Sequence, residues 1–496
     1  MASIPKLISK TKIIQGYQCH KNMYLSVHRK ELIPKVTPEL QALFDQGNDV
    51  TVEARKRFPG GVLVDFPAYD FIGSLKRTRE LLAAHTPTIF EAAFEYKGCY
   101  ARADIITYNE MSQRWSIIEV KSTTKVKEEH YDDVGLQVWI MTNAGLPVER
   151  ISLMHLNNLC KFPDLQNLFT EVELTDELRN RHTRISPRLN EIFNSLKSDS
   201  IPEIDLGAHC GVPRDCQFLG HCRSQKNLPE PSVFSIPGLR DKKWELYSQG
   251  HVALDQIPLE GFSEKQKLCI DVLKSKKRFV DLLKIEESLA QWKFPLTFLD
   301  FETLNPAIPR YEGTGPFMQV PFQFSVHVLN SLDSELQHFE FLFSQSGDPR
   351  PQLIKELISA CGKEGSVVAY FSKFEGARLL ELEDYAPEFK VELSQIRARL
   401  VDPLPIFRDC VYDAAFADSY SIKSVGPALL GETFSYENMK VGDGSSAQRA
   451  YEELISDKSS IMRKAELKAA LLQYCEKDTA VMVELVKWLY RLNPTK

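Results

Sequence analysis

The sequence contains no apolar run approaching the roughly 18–20 residues that a membrane span needs, and its opening segment, MASIPKLISKTK, leads into no apolar stretch of the signal-peptide kind. No membrane partner is expected, and a cytoplasmic location is. The chain also lacks an excess of positive charge. Its 496 residues carry a formal net charge of −6, which argues against a protein that coats nucleic acid, although a local basic surface can still hold phosphates. Repeats, low-complexity tracts and the close C-x2–4-C pairs of zinc fingers are missing as well. Ten cysteines in a chain read as cytosolic point away from disulfides and towards metal ligation. Six of them (Cys99, Cys160, Cys269, Cys361, Cys410, Cys475) are isolated and fit buried small hydrophobes.

At this length one core is not enough, and a composition of 43% hydrophobic and 26% charged residues is that of a globular α/β protein with two or three domains. The segment Pro229-Glu230-Pro231-Ser232 reads as a linker, because closely spaced prolines resist helix and sheet alike. Domains are therefore expected at 1–228 and 293–496, with a mostly helical connector at 229–292. Lys6, Lys10, Lys12, Lys21, Arg29, Lys30 and Lys35 make the N-terminus basic, and a solvated face is the reading they favour.

The other four cysteines stand at the two ends of the first domain: Cys19 in QGYQCHKNMYL, and Cys210, Cys216 and Cys222 in CGVPRDCQFLGHC, a C-x5-C-x5-C spacing. Thiolates so placed suit an iron–sulfur cluster that bridges two chain ends, or a structural zinc. Between them, PTIFEAAFEYKGCYARADIITYN reads as a hairpin turning at Lys97-Gly98, with Asp104 on its second arm. WSIIEVKS follows, and strand alternation puts Glu119 and Lys121 on one face with Ile118 and Val120 in the core. Asp104, Glu119 and the backbone carbonyl of Val120 are hard oxygen ligands for Mg2+ or Mn2+, with Lys121 placed to steady a water or the developing charge. On the helix EEHYDDVGLQVWIM, Asp133 and Gln137 stand four apart.

Over residues 10–225 these features resemble the RecB-like PD-(D/E)XK nucleases, in particular the CRISPR-associated and mitochondrial members that carry a [4Fe–4S] cluster. The resemblance implies a restriction-endonuclease-like fold, cluster ligation by Cys19, Cys210, Cys216 and Cys222, catalytic roles for Asp104, Glu119, Lys121 and Gln137, and a further acid at Glu91. Glu53 stands where many members have a histidine.

A second acidic set lies further on. LTFLDFET presents Asp300 and Glu302 on one strand face and Leu299 and Phe301 on the other. VVAYFSKFEGARLLEL runs strand, turn, helix and supplies Glu375, and on the helix LLQYCEKDTAVMVELVKWL Tyr474 and Asp478 are neighbours four apart. Four carboxylates of this kind hold two divalent ions, and a tyrosine orients the attacking water. Residues 290–496 resemble the DEDDy class of DnaQ-like 3′→5′ exonucleases, which implies an RNase H-like fold with metal on Asp300, Glu302, Glu375 and Asp478. In this set Glu375 stands in place of the usual aspartate; Asp402 and Asp409 are alternative acids for that position, with a structural role the favoured reading for each. The tandem order, with SYSIKSV and DGSSA segments, resembles a bacterial family of domain-of-unknown-function proteins.

The expectation is thus a metal-dependent DNA exonuclease for repair or defence against foreign DNA, taking single-stranded or end-bearing DNA. Its alternatives are a nucleic-acid-binding scaffold with an inactive DEDDy domain and an RNA-processing 3′→5′ exonuclease.

Overall fold

At Lys97-Gly98 two successive residues take left-handed φ values of 46° and 78°, the combination that a two-residue hairpin turn requires. The turn joins β3 (Thr88–Tyr96) to β4 (Cys99–Asn109) of an N-terminal sheet. In the computed structural model, which describes residues 6–492, this sheet also contains β1 (Ile8–Ser9), β2 (Val62–Leu63), β5 (Arg114–Lys121), β6 (Val148–Leu156) and β7 (Phe169–Glu173). The strand order is β2-β3-β4-β5-β6-β7, with β1 pairing parallel to the start of β4. Strand β5 runs antiparallel to β4 and parallel to β6, so two crossings of different kind flank the strand that carries Glu119.

Alternation along β5 divides its apolar residues between two cores. Ile117 packs with Leu136 and Ile140, whereas Ile118 and Val120 pack with Val50 and Ala54. The helices involved are α1 (Lys10–Gln18), α2 (His20–His28), α3 (Pro38–Arg55), α4 (Phe71–Ala83) and α5 (Glu128–Asn143). Thr37 caps α3 by accepting from Leu40 N–H at 3.3 Å, with proline at its first position.

The first compact unit consists of residues 1–227 and, from much later in the chain, Ala307–Phe317. That late segment is part of the unit's interior: Ala307 is buried in the Ile118–Val120 core, with Ile308 and Phe317 packed on it. Phe162 N–H donates to Thr314 O and Gly313 N–H to Phe162 O, both at 2.9 Å. A Cβ at Gly315 would come within 2.9 Å of Cys160 O, so only glycine fits there.

The second unit, residues 228–306 and 318–496, contains β8 (Phe279–Val280), β9 (Leu296–Leu304), β10 (Val320–Leu329), β11 (Gln337–Leu342), β12 (Ser366–Val368), β13 (Leu400–Val401) and β14 (Val411–Tyr412). Five of these make a mixed sheet in the order β11-β10-β9-β12-β13, antiparallel on one side of β9 and parallel on the other. Leu299 and Phe301 face one core; Leu296 and Phe298 face another, built with Met482, Val483 and Val486. The helices that matter below are α6 (Lys373–Tyr385), α7 (Ile422–Leu430), α8 (Gly444–Ile455) and α9 (Ile461–Arg491). Both units are α/β. No helix among the described residues is long and apolar enough to cross a membrane.

Candidate functional site

In the N-terminal unit the expected residues converge where the C-terminal part of β5 meets the middle of β4, largely buried, joined by Lys10, which the sequence places on a solvated face. Lys10 begins α1 immediately after β1, whose pairing of Ile8 with Cys99 and Ser9 with Tyr100 delivers it there. Its ammonium donates to Glu119 Oε1 at 3.0 Å, Asp133 Oδ2 at 3.1 Å and Gln137 Oε1 at 2.6 Å. Lys121 donates to the same two carboxylate oxygens, each at 2.7 Å. Gln137 returns its amide to Glu119 Oε2 at 2.7 Å. Asp104 accepts from Val120 N–H at 2.7 Å. Glu91, opposite Asp104 in the hairpin with a left-handed φ of 56°, is ion-paired to Arg55 of α3 at 2.6 Å. Glu53 pairs instead with Lys56 at the surface.

The charges here are balanced by the protein's own groups. Burial would raise the Glu119 carboxyl, but Lys10 and Lys121 hold it below its usual range, and the same two lysines pull Asp133 down against its own burial. Burial and the Glu119 charge push Asp104 far up. Two ammonium groups therefore face two ionised carboxylates. No three carboxylate ligand atoms of this cluster gather within 4.8 Å among the described residues. As arranged, the lysines stand where a divalent ion would compete for Glu119.

Lys10 was missed because Glu119 lies 109 residues away. A local signal existed: Ile13, fully buried one helical turn on, marks the face of α1 that Lys10 shares.

The four expected cysteines do come together. Cys19 lies between α1 and α2; Cys210, Cys216 and Cys222 lie in the late loop, and all four line one small cavity with Leu25, Leu206 and Phe218. Burial raises the Cys216 thiol to about 11, with the charges of Cys19, Cys210 and Cys222 adding. The remaining six cysteines are buried singly.

The C-terminal acidic set is built differently. Asp300 and Glu302 project from β9, and Asp478 from α9; each offers an oxygen within 4.8 Å of the other two. They line an open cavity of about 500 Å³ with Tyr370, Tyr420, Lys423 and Tyr474. Burial drives Asp300 and Glu302 far above the usual carboxylate range, and mutual repulsion with Asp478 adds to it. Glu375, in the first turn of α6, is also raised by burial and by the Asp300 charge. Glu375 stands outside the three-residue group; its Oε2 and Asp478 Oδ1 are buried without a close hydrogen-bond donor, although the Tyr436 and Tyr474 hydroxyls favour the Asp478 charge. Such orphaned oxygens fit ligands that await a cation.

Lys423, from the SYSIKSV segment, donates to Tyr474 Oη at 2.8 Å and to Gly442 O at 2.7 Å. The DGSSA segment caps α8, Asp443 accepting from Ser446 N–H at 2.8 Å. Asp402 accepts from the amides of Phe371, Ser372 and Leu404 at 2.9–3.0 Å, so it shapes the entry to α6 and is not a ligand. Asp409 pairs with Arg408 and Lys265.

A Domain of unknown function (DUF2779) matches residues 297–421. The match takes in Asp300, Glu302 and Glu375 and stops short of Lys423, Tyr474 and Asp478. The chain is similar to "Uncharacterized protein MG366 homolog" of Mycoplasma pneumoniae, 26% identical over 205 residues, which are 38% of this chain and 31% of that protein. It is also similar to "Uncharacterized protein UU173" of Ureaplasma parvum, 23% identical over 260 residues, 46% of this chain and 37% of that protein. It thus spans about a third of the length of these curated relatives.

Proposed function

We propose that the protein is a metal-dependent DNA exonuclease whose hydrolytic centre is the C-terminal carboxylate cavity. The observation that carries this reading is the gathering of Asp300, Glu302 and Asp478 within 4.8 Å in an open cavity. Asp300, Glu302 and Asp478 would hold Mg2+ or Mn2+, with the orphaned oxygen of Glu375 at the flank. When bound, such ions supply Lewis acidity and a nucleophilic water at neutral pH. The protein's own part is positional. Lys423 fixes the Tyr474 hydroxyl beside Asp478, where it orients a water, and Tyr370 and Tyr420 contribute to the cavity wall. Acid-bearing β9 in the middle of a mixed sheet, with α9 across it, supports an RNase H-like fold for this unit.

The N-terminal unit places an acid on β4, Glu-Val-Lys on β5 and Gln137 on α5, an order that supports a PD-(D/E)XK-like fold. Its lysine network favours a second reading for that unit, in which it grips a strand and does not cut. The four-cysteine cavity supports a [4Fe–4S] cluster over zinc. Sulfurs around one tetrahedral zinc stand about 3.8 Å apart, given bonds of about 2.3 Å, and no three of these sulfurs gather within 4.8 Å among the described residues. Bound there, the cluster would tie α1 and α2 to the late loop.

The experiment is nucleotide release from end-labelled single-stranded DNA, duplex DNA and RNA by anaerobically purified protein, with Mn2+, Mg2+ or chelator. Metal-dependent release from DNA that Asp300→Asn abolishes supports the reading. Release unchanged in Asp300→Asn but lost in Lys121→Ala moves the chemistry to the first unit, and preference for RNA moves the substrate.

A further inference from the structure

Beside the C-terminal acidic cavity, two histidines stand that the proposed reaction does not use. His327 is buried on β10 (4% exposed), and His338 lies directly opposite it on the edge strand β11. Each offers a ring nitrogen, and Glu476 of α9 a carboxylate oxygen, within 4.8 Å of one another.

The ring nitrogens of this pair meet a buried chain of hydroxyls. His327 Nδ1 and Ser325 Oγ each lie 2.8 Å from the Thr479 hydroxyl, which also reaches Glu476 O at 3.0 Å, and Ser325 Oγ lies 3.0 Å from His338 Nε2. His338 Nδ1 stands 3.9 Å from Glu476 Oε1. In the tautomer that donates from His327 Nδ1 and His338 Nε2 into this chain, the cluster presents two imidazole lone pairs and a carboxylate.

We propose that His327, His338 and Glu476 form a second divalent-cation site, of the zinc class and separate from the oxygen ligands of Asp300, Glu302 and Asp478. Two neutral imidazoles with one carboxylate suit zinc-like ions and disfavour Mg2+, which prefers oxygen alone. In that tautomer Ser325 and Thr479 play the orienting part that hydrogen-bond acceptors play behind metal-bound histidines, with the free nitrogen of each ring outward. The rings stack at 4.4 Å with planes 21° apart, so their lone pairs do not yet aim at one point. Capture turns the half-buried His338, on its edge strand, and the half-exposed Glu476 towards His327, which stays fixed. The ion would tie β11 to α9 at Glu476, two residues before Asp478. This site stands whether or not the nuclease reading does.

The test is Co2+ titration of the full chain in excess Mg2+, read by equilibrium dialysis and by absorption spectroscopy. Cobalt on nitrogen and oxygen ligands shows visible ligand-field bands without the near-ultraviolet thiolate band that cobalt in the four-cysteine cavity gives. One thiolate-free equivalent is expected, displaced by Zn2+. His338→Ala and, separately, Glu476→Gln should each weaken it at least about tenfold with an unchanged circular dichroism spectrum. Should His338→Ala fail to fold, Glu476→Gln, at a half-exposed position, decides. No thiolate-free equivalent in the wild type, or undiminished binding in the variants that fold, overturns the proposal.

Discussion

Glu119 and Asp133 of the N-terminal unit each touch two ammonium groups, Lys10 and Lys121. In the C-terminal unit Asp300, Glu302 and Asp478 share the influence of Lys423, with Tyr436, Tyr474 and Lys477 also favouring the Asp478 charge. Among the described residues no ammonium bonds them directly, and burial and mutual repulsion raise Asp300 and Glu302. At 4.8 Å and an effective dielectric constant near 20, each ionised pair costs about 3.5 kcal/mol. The first set has internal counter-ions, whereas the second must take up either protons or external cations. Sequence motifs treat the two alike, as acids at the ends of strands. What separates them is what the distant lysine touches: Lys10 bonds the first site's carboxylates directly, whereas Lys423 bonds the Tyr474 hydroxyl, and this reverses which site has the stronger demand for metal.

The largest expected effect tests the demanding site. Asp300→Asn should lower metal-dependent DNA cleavage at least roughly a hundredfold, because even ångström-scale misplacement of a reacting group costs that much. Single-turnover rates measure it, and a variant as fast as wild type would remove the contrast altogether.

Next comes the self-neutralised site. Lys10→Met leaves two carboxylates with one ammonium and should cost about 2 kcal/mol of stability, below the full loss seen when a buried pair is broken outright. Mn2+ should restore much of that loss in this variant and add little through this site in the wild type. Denaturant midpoints with and without Mn2+ provide the readout; no restoration would mean that the first site accepts no cation even when vacated by its lysine.

A third prediction concerns pH. The carboxyls of the second site have raised pKa values, so protons stabilise the metal-free fold. That contribution is complete below the ordinary carboxyl range and is lost as pH rises through the raised values. A divalent ion competes with the same protons, so its stabilisation should grow with pH, reaching about 2.7 kcal/mol at a hundredfold excess over Kd. Melting temperatures at pH 5 and pH 8, with Mn2+ or chelator, give the sign. A metal-induced rise as large at pH 5 as at pH 8 contradicts it.

The smallest effect is local. Lys423→Gln keeps a donor for the Tyr474 hydroxyl but removes the charge, and should slow cleavage only about tenfold. Its pH–rate profile should move while Tyr474→Phe abolishes that displacement; identical profiles would make Lys423 a structural residue.

Local periodicity carried much of this architecture. The hairpin at Lys97-Gly98, the opposed faces of Asp300–Glu302 and Leu299–Phe301, and the helical pairs Asp133–Gln137 and Tyr474–Asp478 all follow from spacings of two or four residues, and all are observed. The partners of those residues were less accessible. Lys10 and Lys423 look like ordinary basic residues on amphipathic helices until the strands they meet are in place. The roles of His327 and His338 depend on a cross-strand register and on contacts with Ser325 and Thr479, and neither leaves a periodic trace.

The return of Ala307–Phe317 to the interior of the first unit sets a timetable for the ribosome. An emerging chain of 227 residues already has its sheet, but the core around Ile118 and Val120 lacks Ala307, Ile308 and Phe317. Completion waits until residue 317 has left the exit tunnel, several seconds later at about 5–20 residues per second. By then β9, with Asp300 and Glu302, has been made as well. A fragment of residues 1–227 should therefore melt lower alone than with an added 307–317 peptide. If the peptide changes nothing, the first unit matures on its own schedule.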